Sequence, residues 1–319
     1  MPHTPAPVRA DVTARGLQID RSYLADRLAA LPPTAPVVVM IHGYRFAPGL
    51  VGHCPHGHIL SMNPPSGDRK ATSWPRHLGL TGAGGLAIGL GWEARGSVQG
   101  AYRRAAVAGR ALADIAAMVQ SVDPTRRVDV IGHSLGARVA LQALPHAPDG
   151  VFRRMILLAA AETRRPARAA MDSPAGRRVE VVNVTTREND LFDFALEWLV
   201  SLGMDTALGQ GLGRGLGRGL GQGLGQGIGP DAPNWLDLQI DQRATLAVLN
   251  RLGHALPPPP ARICHWSPYM RPGIFALYRA MMDGTLPLTA LRDALPGRRD
   301  RRWTRLVFPV GAQRFLGPA

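Results

Sequence analysis

The sequence predicts an α/β fold, a mostly parallel central sheet with helices on both faces, and three observations carry that reading. First, five consecutive apolar residues, Val37-Val38-Val39-Met40-Ile41, follow a proline-rich stretch and stop at Gly43, the pattern of a strand buried on both faces. Second, residues 98–119 carry alanine, leucine, isoleucine and methionine at helical spacing without a proline. Third, a further short run, Val128-Asp129-Val130-Ile131, leads directly into a glycine turn and a new helical pattern. Strands alternating with helices in this way imply right-handed crossovers and a ligand site beyond the carboxyl ends of the strands.

The remaining elements follow in order. Residues 86–92 read as a strand, weakened by its glycines, and Pro124 closes the helix that begins at Val98. Residues 135–144 are again helical. Strands are expected at 154–160 and 178–184, with a short helix between them at 166–171. Helices are expected at 191–202, at 242–252 and finally at 272–282. The expected organisation is a single domain over 1–319, its core at about 37–284, with a Gly-rich insertion at 203–230 before the last helices and a basic tail at 285–319. Within the insertion every odd position from 209 to 229 is glycine, and leucine or isoleucine recurs every fourth residue from Leu208 to Ile228. That density of glycine reads as a flexible tether, or as a mobile lid if its apolar residues touch substrate. With all glycines on odd numbers, it lacks the spacing of a dinucleotide-binding turn.

Composition bounds the class of function. The chain has 319 residues, 45% of them hydrophobic, and a formal net charge of +14 in which Lys70 is the only lysine. Such a charge permits nucleic acid, an anionic membrane or an acidic partner and requires none of them. Two cysteines, Cys54 and Cys264, cannot build a disulfide framework. Residues 1–30 lack the apolar core of a signal peptide, and no apolar run approaches the ~20 residues that span a bilayer. The expectation is a soluble, cytoplasmic protein without a transmembrane segment; its oligomeric state is not written in any motif.

One motif carries chemistry. Gly132-His133-Ser134-Leu135-Gly136 joins the strand at 128–131 to the helix that follows, which is the G-x-S-x-G pattern in the context that gives it meaning. A strand-to-helix turn this sharp strains its central residue, so Gly132 and Gly136 remove side chains that would collide. Ser134 is then lifted above the sheet, where the new helix points its amides and its dipole. On these residues the chain resembles the α/β-hydrolase superfamily, from about residue 37 to about residue 282. The resemblance implies an oxyanion hole made partly by the backbone after the first of these strands, at His42-Gly43-Tyr44, with the Tyr44 and Leu135 amides as donors. It also implies the chain order serine, acid, histidine.

A serine needs a base to take its proton. The loop after the 178–184 strand, Thr185-Thr186-Arg187-Glu188-Asn189-Asp190, supplies the acid; Asp190 is preferred, with Glu188 and Asp193 as rivals. Of the ten histidines, only His254 and His265 follow it. His265 precedes the last helix, the position the resemblance implies for the base, and is preferred over His254. His133 reads as structural.

Other signals weigh less. His53-Cys54-Pro55-His56-Gly57-His58 offers metal-ligand side chains without a common zinc spacing. Gly82-Ala83-Gly84-Gly85-Leu86-Ala87 fits a nucleotide-binding pattern by letter only, no strong strand preceding it. The tail Arg298-Arg299-Asp300-Arg301-Arg302-Trp303 reads as a solvated basic end. The expected function is a serine hydrolase acting on a small-molecule acyl ester or thioester, with no metal, no organic cofactor and no obligatory nucleic acid. The alternative is a non-catalytic protein of the same fold that binds an acidic partner.

Overall fold

A computed structural model describes residues 5–212 and 233–307 of the chain; most of the glycine repeat and the last twelve residues lie outside the described residues. Eight strands form one sheet: β1 (Val8–Thr13), β2 (Gly16–Ile19), β3 (Val37–Ile41), β4 (Leu86–Gly91), β5 (Val128–His133), β6 (Phe152–Leu158), β7 (Glu180–Thr185) and β8 (Trp235–Gln239). Their order is β2-β1-β4-β3-β5-β6-β7-β8. β2 is antiparallel to β1, and every other pairing is parallel. The mostly parallel α/β sheet expected from the sequence is therefore present.

The strands face two cores, and the two-residue period of a strand divides their side chains between them. Val37, Val39 and Ile41 of β3 join Val128 and Val130 of β5 on one face, under the helices Val98–Val122 and Leu135–Ala143. Val38 and Met40 point the other way, with Ile131, Ile156 and Val182, toward the helix Ile274–Asp283. All five residues of β3 are buried, which is why its sequence is unbroken by polar residues.

The long helix Val98–Val122 starts at Ser97, whose side chain accepts from the Gly100 N–H. By length and composition it could cross a membrane, yet Ala101, Ala105, Ala108, Leu112, Ile115, Ala116 and Val119 form a stripe buried in the core. At Gly109 the helix Leu135–Ala143 approaches so closely that a β-carbon would stand 2.7 Å from the carbonyl carbon of Gln142.

The sheet extends beyond the expected core. β1 and β2 precede residue 37, and Val8 and Ala10 are fully buried. Arg9 lies between them on the exposed face, so the strand alternates rather than forming an apolar run. β8 was not expected either; it follows the glycine repeat and carries Asp237 within WLDLQ. The described part of the basic tail is not simply a solvated end. Arg299 pairs with Asp237 at 3.4 Å, and Arg302 with Glu197 at 2.6 Å.

Candidate functional site

Three neighbouring strands end at one place. β3 lies between β4 and β5, so the strand order reverses there, the position at which open parallel sheets bind ligands. Ile41 pairs with Gly132, which brings the ends of β3 and β5 level.

Ser134 stands between β5 and the helix Leu135–Ala143 with φ 56° and ψ −121°, a conformation that strains any side chain-bearing residue. Its backbone is held on several sides. The Ser134 N–H donates to Leu158 O at 2.9 Å, and its carbonyl accepts from the Ala137 and Ala161 N–H groups, each at 3.0 Å. The hydroxyl makes no capping hydrogen bond to the helix that it precedes. The flanking glycines are dictated by contact. A β-carbon at Gly132 would lie 2.6 Å from Gly136 O, and one at Gly136 would lie 2.5 Å from Ile41 O. At Gly43 it would meet the Ser134 β-carbon at 2.8 Å, so the backbone leaving β3 passes directly beside the serine. Leu135 is the first residue of its helix, and its N–H therefore has no partner within that helix.

His42 pins this crossing. The Trp92 N–H donates to His42 Nε2 at 3.1 Å, so the proton sits on Nδ1, which donates to Gly43 O at 2.8 Å. Burial pushes the His42 pKa down to about 3, keeping it neutral. His133, whose pKa burial lowers to about 4, donates from Nε2 to the His265 carbonyl at 3.0 Å. It thus fixes the loop that carries His265, and the two imidazole rings lie 4.6 Å apart.

The His265 ring meets an unexpected partner. Its Nδ1 lies 2.6 Å from Asn189 Oδ1, and Phe192 stacks on it at 4.8 Å. The orientation of the Asn189 amide follows from what stands behind it, since Asn189 Nδ2 donates to Asp193 Oδ1 at 2.8 Å. The carbonyl oxygen must then face the imidazole, so His265 Nδ1 carries the proton and Nε2 keeps its lone pair. Burial, together with the neighbouring His133, holds the His265 pKa well below the usual histidine value.

Asp190, the acid preferred from sequence, is directed elsewhere. It accepts from the Trp303 N–H at 2.7 Å and from Gln210 Nε2 at 3.1 Å, and it pairs with Arg187 at 3.1 Å. The reason is its place as first residue of the helix Asp190–Ser201, where its side chain turns back toward the body. Asn189, the N-cap residue one position earlier, is buried and meets His265 instead. Glu188 accepts from Thr186 Oγ1 at 3.1 Å and lies 3.5 Å from Arg271. Asp193 is buried with Oδ2 unpartnered, and burial, opposed by Arg187, raises its pKa to about 7. Gly209 packs against this carboxylate where any β-carbon would overlap it. His254, the rival base, closes the helix Arg243–Arg251 through its N–H to Leu249 O at 2.8 Å. The structure thus sets Gly43 against Ser134, and joins His265 to Asn189 and, through its carbonyl, to His133, with Asp193 behind Asn189. Sequence reasoning passed over Asn189 because it sought a carboxylate; the signal available was its position at the helix cap.

The histidine-rich stretch splits between two carboxylates, His56 with Asp11 at 2.8 Å and His58 with Asp68 at 3.0 Å. Among the described residues no group of three or more metal-ligating side chains converges. A scan against protein-family models returned no match, and a search of curated proteins found no relative.

Proposed function

We propose that the protein is a serine hydrolase of the α/β-hydrolase type that cleaves a carboxylic ester or thioester through an acyl-enzyme. The observation that carries this reading is Ser134, held at positive φ between a parallel strand and a helix, with an uncapped hydroxyl. Strain of about 1–3 kcal/mol persists at such a residue only where its surroundings over-determine it, and such residues cluster at active sites.

In this mechanism Ser134 Oγ attacks the acyl carbonyl while His265 Nε2 takes its proton. The carbonyl oxygen becomes an oxyanion facing the Leu135 and Tyr44 N–H groups. Two aligned donors at a developing charge supply roughly 3–4 kcal/mol each at the high end. Collapse of the tetrahedral intermediate expels the alcohol or thiol, which receives the proton from His265. Water then repeats the sequence and frees the acid. Asn189 holds the imidazole in the tautomer that leaves Nε2 basic, and Asp193 holds Asn189.

The second reading, a non-catalytic protein of this fold that binds an acidic partner, draws on one specific observation. The histidine faces an amide, which cannot neutralise an imidazolium as a carboxylate does. A fluorescent organophosphonate separates the two. The wild type should label, Ser134→Ala should not, and His265→Ala should label about a thousandfold more slowly or less. Folded wild-type protein that stays unlabelled would sink the hydrolase reading.

A further inference from the structure

The helix Asp190–Ser201 is amphipathic with its polar side inward. Its buried residues are Asp190, Asp193, Leu196 and Glu197. Leu191, Phe194, Trp198 and Leu202 recur at three- and four-residue intervals along the outward face, flanked by Phe192 and Leu199, and all six are exposed. The apolar face continues past the helix to Met204, which is 75% exposed. Leu202 is 73% exposed and ends the helix at φ 53°, a left-handed position that favours glycine. The chain therefore keeps a leucine where the backbone disfavours it and the fold does not cover it. A soluble monomer rarely exposes a contiguous apolar patch of this kind without a partner for it.

The charges around the patch choose the partner. All three carboxylates of the helix are turned inward and bonded. Asp190 accepts from the Trp303 N–H, Asp193 from Asn189, and Glu197 from Arg302 and the Ala207 N–H. Asp205, just beyond the helix, is bonded to the backbone N–H groups of Arg165 and Thr206. The rim carries exposed cations, and the one carboxylate beside them, Asp68, is paired with His58 and accepts from the Lys70 N–H. Lys70 sits 3.4 Å over the Trp266 ring, which itself meets Phe192 edge-on. Arg262 is exposed beside the exposed Ile263, on a loop tied to the turn before the helix through the Cys264 N–H to Glu188 O. Arg301 is exposed beside Trp303, whose ring packs on Phe194.

We infer that this face, the apolar side of the helix Asp190–Ser201 with Lys70, Arg262 and Arg301 at its rim, docks on an anionic lipid surface. Aromatic and leucine side chains enter the headgroup–acyl boundary while the basic rim meets anionic headgroups. A second copy of the chain fits this face less well. A two-fold interface sets the same patch against itself, bringing two cationic rims together on molecules that each carry +14. Docking does not require turnover, so Ser134→Ala binds as the wild type does, and the hydrolase reading and this one can fail separately.

The test is co-sedimentation with vesicles of phosphatidylcholine alone or of equal parts phosphatidylcholine and phosphatidylglycerol. The wild type and Ser134→Ala should sediment with the mixed vesicles, weakly with the neutral ones, and less as salt rises. The triple variant Phe194→Ser, Trp198→Ser, Leu202→Ser changes exposed positions only, and should bind at least tenfold more weakly with unchanged circular dichroism. Arg262→Ala with Arg301→Ala should lose most of the preference for anionic lipid. Failure of the wild type to bind mixed vesicles overturns the inference, as does a triple variant that binds like the wild type. A wild-type dimer by light scattering that the triple variant converts to monomer would assign the face to a second copy instead.

Discussion

The two walls of the candidate site are built on different principles. On the serine wall, local sterics dictate each residue. Gly43, Gly132 and Gly136 stand where a β-carbon would come within 2.8 Å of another atom, and the five-residue motif spells out its own backbone. On the histidine wall, the partner of His265 is selected by elements far apart in sequence. Asn189 caps a helix, Asp193 lies one turn further along, and Gly209 makes room for the carboxylate. Trp303, from the C-terminal tail, draws Asp190 away. A short-range constraint leaves a pattern that can be read; a constraint shared among distant segments leaves only a choice among nearby polar residues.

Breaking the serine wall should give the largest effect. Gly136→Ala places a methyl group 2.5 Å from Ile41 O and 2.7 Å from His42 O, between backbone atoms that cannot rotate aside. We expect a loss of about 3 kcal/mol or more in urea unfolding, together with loss of organophosphonate labelling. Gly57→Ala, where a β-carbon meets nothing within 4 Å, is the control and should unfold close to the wild type. Equal stability of the two variants would show that the close approach of β3 to the helix Leu135–Ala143 is not what fixes the glycine.

The histidine wall can be tested by exchange. Asp193→Asn replaces an acceptor-only carboxylate with an amide that can accept or donate, so nothing fixes the orientation of the Asn189 amide, and Asn189→Asp sets two carboxylates where a 2.8 Å hydrogen bond stood. Asp193→Asn should label about tenfold more slowly, since an imidazole no longer held in one tautomer is a poor base, and Asn189→Asp should also label more slowly because the two facing carboxylates repel and displace the partner of His265. The double exchange restores one donor and one acceptor and places the charge beside His265, so it should recover the wild-type rate or exceed it. Losses that simply add in the double variant would mean that the pair is only structural.

The same contrast governs how much of the fold was legible. β3 and the helix starting at Val98 were read closely, because a fully buried strand or a long core stripe imposes an unbroken pattern. β1 escapes the pattern because it is short and interleaves Arg9 and the buried, paired Asp11 with its apolar residues, although it lies between β2 and β4. The basic tail looked like a solvated end because its arginines were counted without the buried Asp237 and Glu197 that they meet. The inverted helix Asp190–Ser201 was located from its apolar periodicity, but that periodicity could not reveal that its apolar side faces outward. Only the packed structure shows the acids turned toward Arg187, Arg302 and the Trp303 N–H.

The smallest expected effect is also the one that ranks the two acid–base groups of the histidine wall. Burial, with the neighbouring His133, holds the His265 pKa well below the usual histidine value, so His265 stays the neutral base near neutral pH and protonates only in more acidic solution. Asp193 has its pKa raised to about 7 and is therefore carboxylate above that pH and carboxylic acid below it. As a carboxylate it can only accept, which obliges the Asn189 amide to present Nδ2 to it and Oδ1 to His265. Once protonated it can also donate, and the opposite amide orientation becomes available. The labelling rate should accordingly rise severalfold through an apparent pKa near 7, with a second, steeper fall in acid where His265 protonates. Asp193→Asn should remove the step near pH 7 and leave the acid limb in place. A wild-type profile flat from pH 6 to pH 8 would show that the charge on Asp193 does not govern the amide, leaving the fixed geometry of Asn189 to position the base unaided.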